Sequence, residues 1–458
     1  MAAKDLRIAF ALLLLLIAVV TTNAIKNNKV TRNVQLGHNY YLQETIIEFT
    51  NNEEQDIQEY ILLVDKDNID GLVYIEVELD RKVANVARDD SFEIPSQDFI
   101  PFRVDIGTLE ANGKQRFIVK EVYSNRKAPY STTMKMRDVP QLRIIDDAYY
   151  PTLYETGKMK STFECNECHS LKATEIENTD TRSKKVKYGT YKNVKPLQSS
   201  AIYILIKIDL PQPVFTSVKR DVTISHWSSI DVEEQYNLKN QIPALDGGFS
   251  RVAYNPATIK YAVTDLYCEL PSDITELYYT DEIGNITTSH ARRDSDGVKF
   301  SIEPRFPVMG GWKTYWQQGY KLPKDSYIMG TGNPEEFEVK ISFSHPFEDI
   351  IAENFEFSIT LPEGATDTRL DIPFEMESIK NETVYRYLDL SGREKIIMKR
   401  RNVLERVHDK NVRVTYRLPQ SRHFIKPVIL VVYIFILLFF LQQIWRCSSE
   451  SGSKAKKE

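Results

Sequence analysis

Residues 337–344 read FEVKISFS and residues 355–361 read FEFSITL. In the first, Phe337, Val339, Ile341 and Phe343 alternate with Glu338, Lys340, Ser342 and Ser344. In the second, Phe355, Phe357, Ile359 and Leu361 alternate with Glu356, Ser358 and Thr360. Successive side chains on a strand point to opposite faces. The pattern therefore sets one face on a core and the other in water, as in antiparallel sheets. The same alternation marks Val73, Ile75, Val77 and Leu79, and again Val412, Val414, Tyr416 and Leu418. Turn signals at Asn112-Gly113, Asp246-Gly247-Gly248 and Ser391-Gly392 separate such runs, and long amphipathic helical patterns are scarce. The expected fold is mainly β, in sandwich-like layers.

A seven-residue echo suggests how the layers are organised. Arg32-Asn33-Val34-Gln35-Leu36-Gly37-His38 recurs in type as Arg220-Asp221-Val222-Thr223-Ile224-Ser225-His226, and acidic strands follow around Glu44 and Glu233-Glu234. We expect two tandem, related β-sandwich-like domains, residues 25–216 and 217–422. Residues 175–196, rich in Lys, Thr and Asn with no apolar period, read as a long surface loop in the first.

Both ends of the chain carry membrane signals. Lys4 and Arg7 precede an apolar run from Ile8 to Val20 and the small residues Thr22 and Ala24. That order is a secretory signal peptide over residues 1–24. Near the other end, residues 427–445 are uncharged, and Val428 to Leu441 is apolar throughout. At about 1.5 Å per residue this segment just crosses a hydrocarbon core, with Lys426 and Arg446 as its flanks. Basic residues are nearly balanced across it, so the signal peptide sets the orientation. The expectation is a type I single-pass protein with residues 446–458 as cytosolic tail. Lys454 and Lys456 near the end fit a retrieval signal for the endoplasmic reticulum membrane, or simple inner-leaflet attraction.

The chain holds 59 basic and 64 acidic residues, for a net charge of −5, which gives no footprint for nucleic acid. Cys165-Asn166-Glu167-Cys168-His169 fits the attachment pattern of c-type haem and the thioredoxin-type redox pattern. It lacks the βα setting and apolar pocket those need, and in an oxidising lumen a local disulfide is the simpler reading. Cys268 is then unpaired, with pairing to Cys165 or Cys168 as the alternative. Cys447 is palmitoylated or free. Asp65-Lys66-Asp67 and Asp294-Ser295-Asp296 fit a metal-holding D-x-D pattern, but both sit at loop signals and read as solvated turns. Asn285-Ile286-Thr287 and Asn381-Glu382-Thr383 are N-glycosylation acceptors. Arg393, Lys395, Lys399, Arg400 and Arg401 form a basic run suited to lipid phosphates, a partner's acidic surface or a solvated strand edge. We find no catalytic constellation, no metal site and no cofactor motif.

The wording of several segments closely resembles ribophorin I. These are EIGNITTSH at 282–290, RFPVMGGWKT at 305–314, SHWSSIDVEE at 225–234, GGFSR at 247–251, and Leu361-Pro362-Glu363-Gly364-Ala365. Gly319-Tyr320 with Leu322-Pro323, and Tyr387-Leu388-Asp389, continue the likeness. The resemblance implies a non-catalytic subunit of the endoplasmic reticulum oligosaccharyltransferase. That complex moves a preassembled oligosaccharide from dolichyl pyrophosphate to Asn in N-x-S/T segments. It further implies partnership with a multi-span catalytic subunit and with nascent glycoproteins, in a role of complex stability and substrate presentation. The tail departs from the long cytosolic domain of animal members and looks like the short-tailed fungal form, which puts ribosome contact through it in doubt. The competing reading is a stand-alone single-pass receptor or adhesion protein; a luminal enzyme using a D-x-D or cysteine motif is weaker still.

Overall fold

A computed structural model of the chain describes residues 25–37 and 39–454. The expected signal peptide, His38 and Lys456 lie outside the described residues.

Four strands form the centre of the first unit: β1 (Ile25–Gln35), β2 (Tyr41–Asn51), β3 (Lys114–Tyr123) and β4 (Thr156–Glu164). β1 pairs antiparallel with β2 and parallel with β4, and β2 pairs antiparallel with β3. The order β4-β1-β2-β3 sits inside an eight-stranded sheet. In the second unit, β5 (Pro213–Thr223), β6 (Ser229–Asn240), β7 (Lys313–Pro323) and β8 (Ile351–Thr360) repeat this arrangement. β5 is antiparallel to β6 and parallel to β8, and β6 is antiparallel to β7, giving β8-β5-β6-β7 inside a seven-stranded sheet.

Each large sheet buries its apolar face against two smaller ones. In the first unit Tyr60, Leu62 and Val104 come from a three-stranded sheet and Leu142, Ile144 and Ile204 from a four-stranded one; all join one core with Val30, Val34 and Phe117. In the second, Phe300 and Ile302 come from a three-stranded sheet and Val339, Ile341, Val412 and Val414 from a four-stranded one, packing on Val218, Val222 and Phe357. Phe215, Tyr236, Trp316 and Phe347 meet at its centre, with Tyr236 and Trp316 stacked at 5.0 Å. Each such buried ring contributes on the order of 2–3 kcal/mol. Trp316 and Tyr320 are therefore core residues, while Trp312 and Tyr315 are half-buried.

The two units interlock. Thr133–Met134 pairs in parallel with Ala244–Leu245, the Tyr261 hydroxyl donates to the Met136 carbonyl at 2.6 Å, and Ile242, Ile259 and Met309 enter the first core. The Gly310-Gly311 pair makes this approach possible. A Cβ on Gly310 would stand 2.1 Å from the Pro243 carbonyl oxygen, and Gly311 has φ +72°.

Two expectations of organisation need correction. Residues 175–196 are not a loop: Thr179–Arg182 and Lys185–Val194 form an edge hairpin on β4. Val186, Tyr188 and Val194 face the core, and a bulge beside Gly189 breaks the alternation that would have revealed them. The boundary at 216/217 falls within β5, at its own register shift between Phe215 and Ser217.

The basic run lies on β10 (Arg393–Leu404), which is second from the sheet edge, behind β9 (Ser378–Val384). Its cations are paired rather than idle. Lys395 meets Asp221, Lys399 meets Glu356, Arg401 meets Glu377, and Arg400 lies over the Phe374 ring.

After Asn411–Arg417 the chain passes through one turn, Gln420–His423, into the helix Ile425–Lys454. Among the described residues it is the one helix long and apolar enough to cross a membrane, over Gln420–Trp445, and its most apolar stretch is not buried by the rest of the protein.

Candidate functional site

Period two sets Val30, Arg32 and Val34 on one face of β1, and Val218, Arg220 and Val222 on one face of β5. Each triplet puts a guanidinium into an apolar core, where an unpaired charge is prohibitively costly. Each is met by a polar network built from equivalent strands.

In the first unit Arg32 donates from Nε to Gln43 Oε1 at 2.7 Å and from Nη2 to both Asp146 oxygens at 2.8 and 2.9 Å. It also reaches the Tyr41 hydroxyl at 2.8 Å. Gln43 in turn donates to Glu121, and the Tyr123 hydroxyl donates to Glu121 at 2.9 Å. Arg126 reaches Asp146 at 3.1 Å and stacks over Tyr41 and Tyr123. Burial opposes ionisation of Asp146, but Arg126 and Arg32 outweigh it and hold the carboxyl below the usual carboxylate range. Burial wins at Glu121, whose carboxyl is pushed up despite the Tyr123 hydroxyl and Arg32.

In the second unit Arg220 Nη1 donates to Glu234 Oε1 at 2.5 Å and to the Ser344 carbonyl at 2.9 Å. Gln318 donates to Glu234 at 2.7 Å, as does the Tyr236 hydroxyl at 2.9 Å, and Arg220 reaches the Tyr320 hydroxyl at 3.3 Å. The correspondence is close: Gln43 pairs directly with Glu121 across β2–β3, and Glu234 with Gln318 across β6–β7. The residue types are exchanged, and a tyrosine follows two places on in each case, Tyr123 and Tyr320. The first arginine reaches diagonally, since Arg32 is opposite Thr45, whereas Arg220 is opposite Glu234. Asp146 and Glu234 are bonded to these guanidiniums, while Nε of Arg126 and Nε of Arg220 are buried without a partner. The arrangement is suited to fixing strand register.

The residues singled out in the sequence lie apart from these networks and from each other. Asn285 is exposed beside an isolated bridge to Thr280, and Asn381 is exposed on the edge strand β9, where it donates to Glu394 at 2.8 Å. Cys165 and Cys168 are buried in the first core and their sulfurs are joined, with Cα atoms 5.5 Å apart. Cys268 is buried in the second core as a free thiol, pushed well above its ordinary pKa by burial. Asp65 accepts from the Asp67 backbone at 2.9 Å as the cap of a short 3-10 helix, Lys66–Gly71, and Asp294 accepts from those of Asp296 and Gly297 at 3.1 Å in a turn, so each carboxylate is spent on its own backbone. Among the described residues no three His, Cys, Asp or Glu side chains converge as a metal site. Lys454 is the last described residue, within the C-terminal helix.

Sequence reasoning passed over Gln43, Glu121, Asp146 and Gln318, and took Glu234 only as part of an acidic strand. Their signal was present: each stands where the alternation calls for an apolar residue.

The fold and its networks define a class, a region of two like β sandwiches carried on one apolar helix. Within that class the chain belongs to the ribophorin I family, whose family model, described as Ribophorin I, matches residues 25–445. The chain is 28% identical over 442 residues to dolichyl-diphosphooligosaccharide–protein glycosyltransferase subunit 1 of Caenorhabditis elegans, covering 95% of this chain and 74% of the relative. It is 27% identical to subunit 1A of Arabidopsis thaliana, covering 93% and 71%. Subunit 1B of Oryza sativa subsp. japonica is 33% identical over 271 residues, covering 58% of this chain and 56% of that relative.

Proposed function

We propose that this chain is a non-catalytic subunit of the oligosaccharyltransferase, the complex that moves oligosaccharide from dolichyl pyrophosphate to Asn of N-x-S/T segments. The observation that carries the reading is the reach of the family match, which takes in both sandwiches and the apolar helix without interruption. The buried networks support a scaffold role, because their charged groups are spent on holding strands together. In this reading the helix spans the endoplasmic reticulum membrane with both sandwiches in the lumen. The chain partners the multi-span catalytic subunit and other subunits of the complex, and helps present nascent glycoproteins. Residues 1–24 direct entry, Asn285 and Asn381 carry glycans, Cys165 and Cys168 form a disulfide in the oxidising lumen, and Lys454 with Lys456 serves retrieval.

The test is a mild-detergent pull-down through a tag on this chain, assayed for oligosaccharide transfer to an N-x-T peptide. Transferase activity co-purifying with a multi-span partner supports the reading. An inactive, monomeric eluate under conditions that preserve the transferase overturns it. Asn285→Gln and Asn381→Gln should each remove one endoglycosidase-sensitive step in gel mobility, and an unchanged ladder would count against a luminal placement.

A further inference from the structure

The end of the second sandwich from which the helix leaves has an unusual surface. Val384 pairs with Arg393, so residues 385–392, YRYLDLSG, are a hairpin tip hanging off the sheet. β5 and β8 end beside it, since Thr223 pairs with Thr360 and Thr360 with Lys395. The backbone of this tip is fixed from several directions. Asp389, half-buried with its side chain shielded from solvent, accepts from Lys426 Nζ at 2.6 Å, from Arg393 Nε at 3.0 Å and from the Arg386 backbone at 2.7 Å. Glu363 accepts from the backbones of Leu390 and Ser391 at 2.6 and 2.7 Å. Arg386 Nη2 donates to Thr223 Oγ1 at 2.9 Å.

Yet this anchored tip turns its large apolar side chains outward. Tyr385, Tyr387 and Leu390 are 69, 86 and 67% exposed, and nearby Trp227 and Phe424 are 60 and 66% exposed. Trp227 lines a cleft with Arg393, Arg422 and Lys426. Lys426 is the second residue of the helix and stands two places before Val428, where the apolar run begins. With a rise of about 1.5 Å per residue, the Lys426–Asp389 pair lies within roughly one helical turn of the hydrocarbon edge. That depth is where Tyr and Trp rings settle and where Lys and Arg meet lipid phosphates.

We propose that the 385–392 tip, with Trp227 and Phe424, seats in the headgroup layer of the bilayer, so that the second sandwich is docked on the membrane instead of swinging from its helix. The occupant is lipid because the surface is continuous with the spanning helix, through an ion pair to that helix, and mixes aromatic rings with cations. The inference rests on the reading that Gln420–Trp445 crosses the membrane.

The test uses the full chain with Cys447→Ser, reconstituted in phosphatidylcholine vesicles and labelled with an environment-sensitive fluorophore at one introduced cysteine. Three sites are compared: Tyr387→Cys at the tip, Leu437→Cys in mid-helix, and Val252→Cys, 97% exposed on a remote loop. The expected result is loss of the Tyr387→Cys signal to headgroup-level nitroxide lipid and protection from aqueous iodide. Leu437→Cys should lose its signal to deep nitroxide lipid, and Val252→Cys to iodide only. Iodide quenching of Tyr387→Cys equal to that of Val252→Cys, with Leu437→Cys still quenched at depth, overturns the docking and leaves the span standing. Failure of Leu437→Cys to quench at depth removes the span and the docking together. A Tyr387→Cys label open to iodide in lipid, but shielded once the chain is reconstituted within its co-purifying complex, assigns the surface to a protein partner and also overturns the proposal.

Discussion

Arg220 and Glu234 face one another across β5 and β6 with side chains 6 and 0% exposed. Their attraction repays the loss of two hydration shells only while both partners are present. Arg220→Met should therefore leave a buried, uncompensated carboxylate and cost about 3–5 kcal/mol. Removing both charges, as in R220M/E234M, should cost less than the single change. Denaturant midpoints of the detergent-solubilised chain check the order, and a double variant worse than R220M would show that Gln318, Tyr236 and Tyr320 depend on the pair more than it depends on itself.

The exchanged pairs Gln43–Glu121 and Glu234–Gln318 make a sharper prediction. Gln43→Glu sets two buried carboxylates opposite each other, with Asp146 already drawing on Arg32 and Arg126, and should cost about 2–4 kcal/mol. Adding Glu121→Gln rebuilds in the first sandwich the order that the second already uses, so Q43E/E121Q should recover more than half of that loss. A double-mutant cycle on thermal unfolding reads the coupling. Additive losses would mean that the likeness between the two networks is superficial.

Acid should unfold the second sandwich through two histidines. Burial among Phe215, Phe347 and Phe355 pushes His345 down to about 3, and burial pushes His408 down to about 4, from an ordinary 6.5. Above pH 6.5 both rings are neutral in either state and nothing is lost. Below it the unfolded chain takes up protons that the folded chain refuses, so stability falls as the pH drops toward about 4. The slope is about 1.4 kcal/mol per pH unit for each ring. His345→Phe should lower proton uptake on unfolding at pH 5 by about one proton, measured by calorimetry in buffers of different ionisation heat. Unchanged uptake would mean that His345 is protonated in the fold.

The alternation at Phe337–Phe343 and Phe355–Leu361 made the β class legible, because a sheet with one wet face writes its period directly into the chain. The echo at Arg32 and Arg220 was legible too, and its first residue is the buried arginine of each network. What stayed hidden depends on pairing across distance. Asp146 meets Arg32 only because a second sheet folds over β1, a pairing that no local pattern announces. The hairpin at 179–194 was masked by lysines on its wet face and by the bulge at Gly189. The interlock through Ile242 and Met309 was equally silent, since an apolar residue does not say whose core it fills.

Cys165 and Cys168 sit at the end of β4, three places apart, with both sulfurs buried. Loop-closure entropy for so short a ring gives only about 2 kcal/mol, less than a bridge across a longer loop would. Cys165→Ser should therefore destabilise the first sandwich by about 2 kcal/mol, plus the cost of seating a hydroxyl in its core, and still allow folding. Thiol titration discriminates the pairing. The chain has four cysteines, so with Cys165 bonded to Cys168 the unreduced, unfolded chain titrates Cys268 and Cys447. In the folded chain, burial should keep Cys268 silent. A Cys165→Ser chain that exposes Cys268 to alkylation without unfolding would instead point to exchange between Cys268 and this pair.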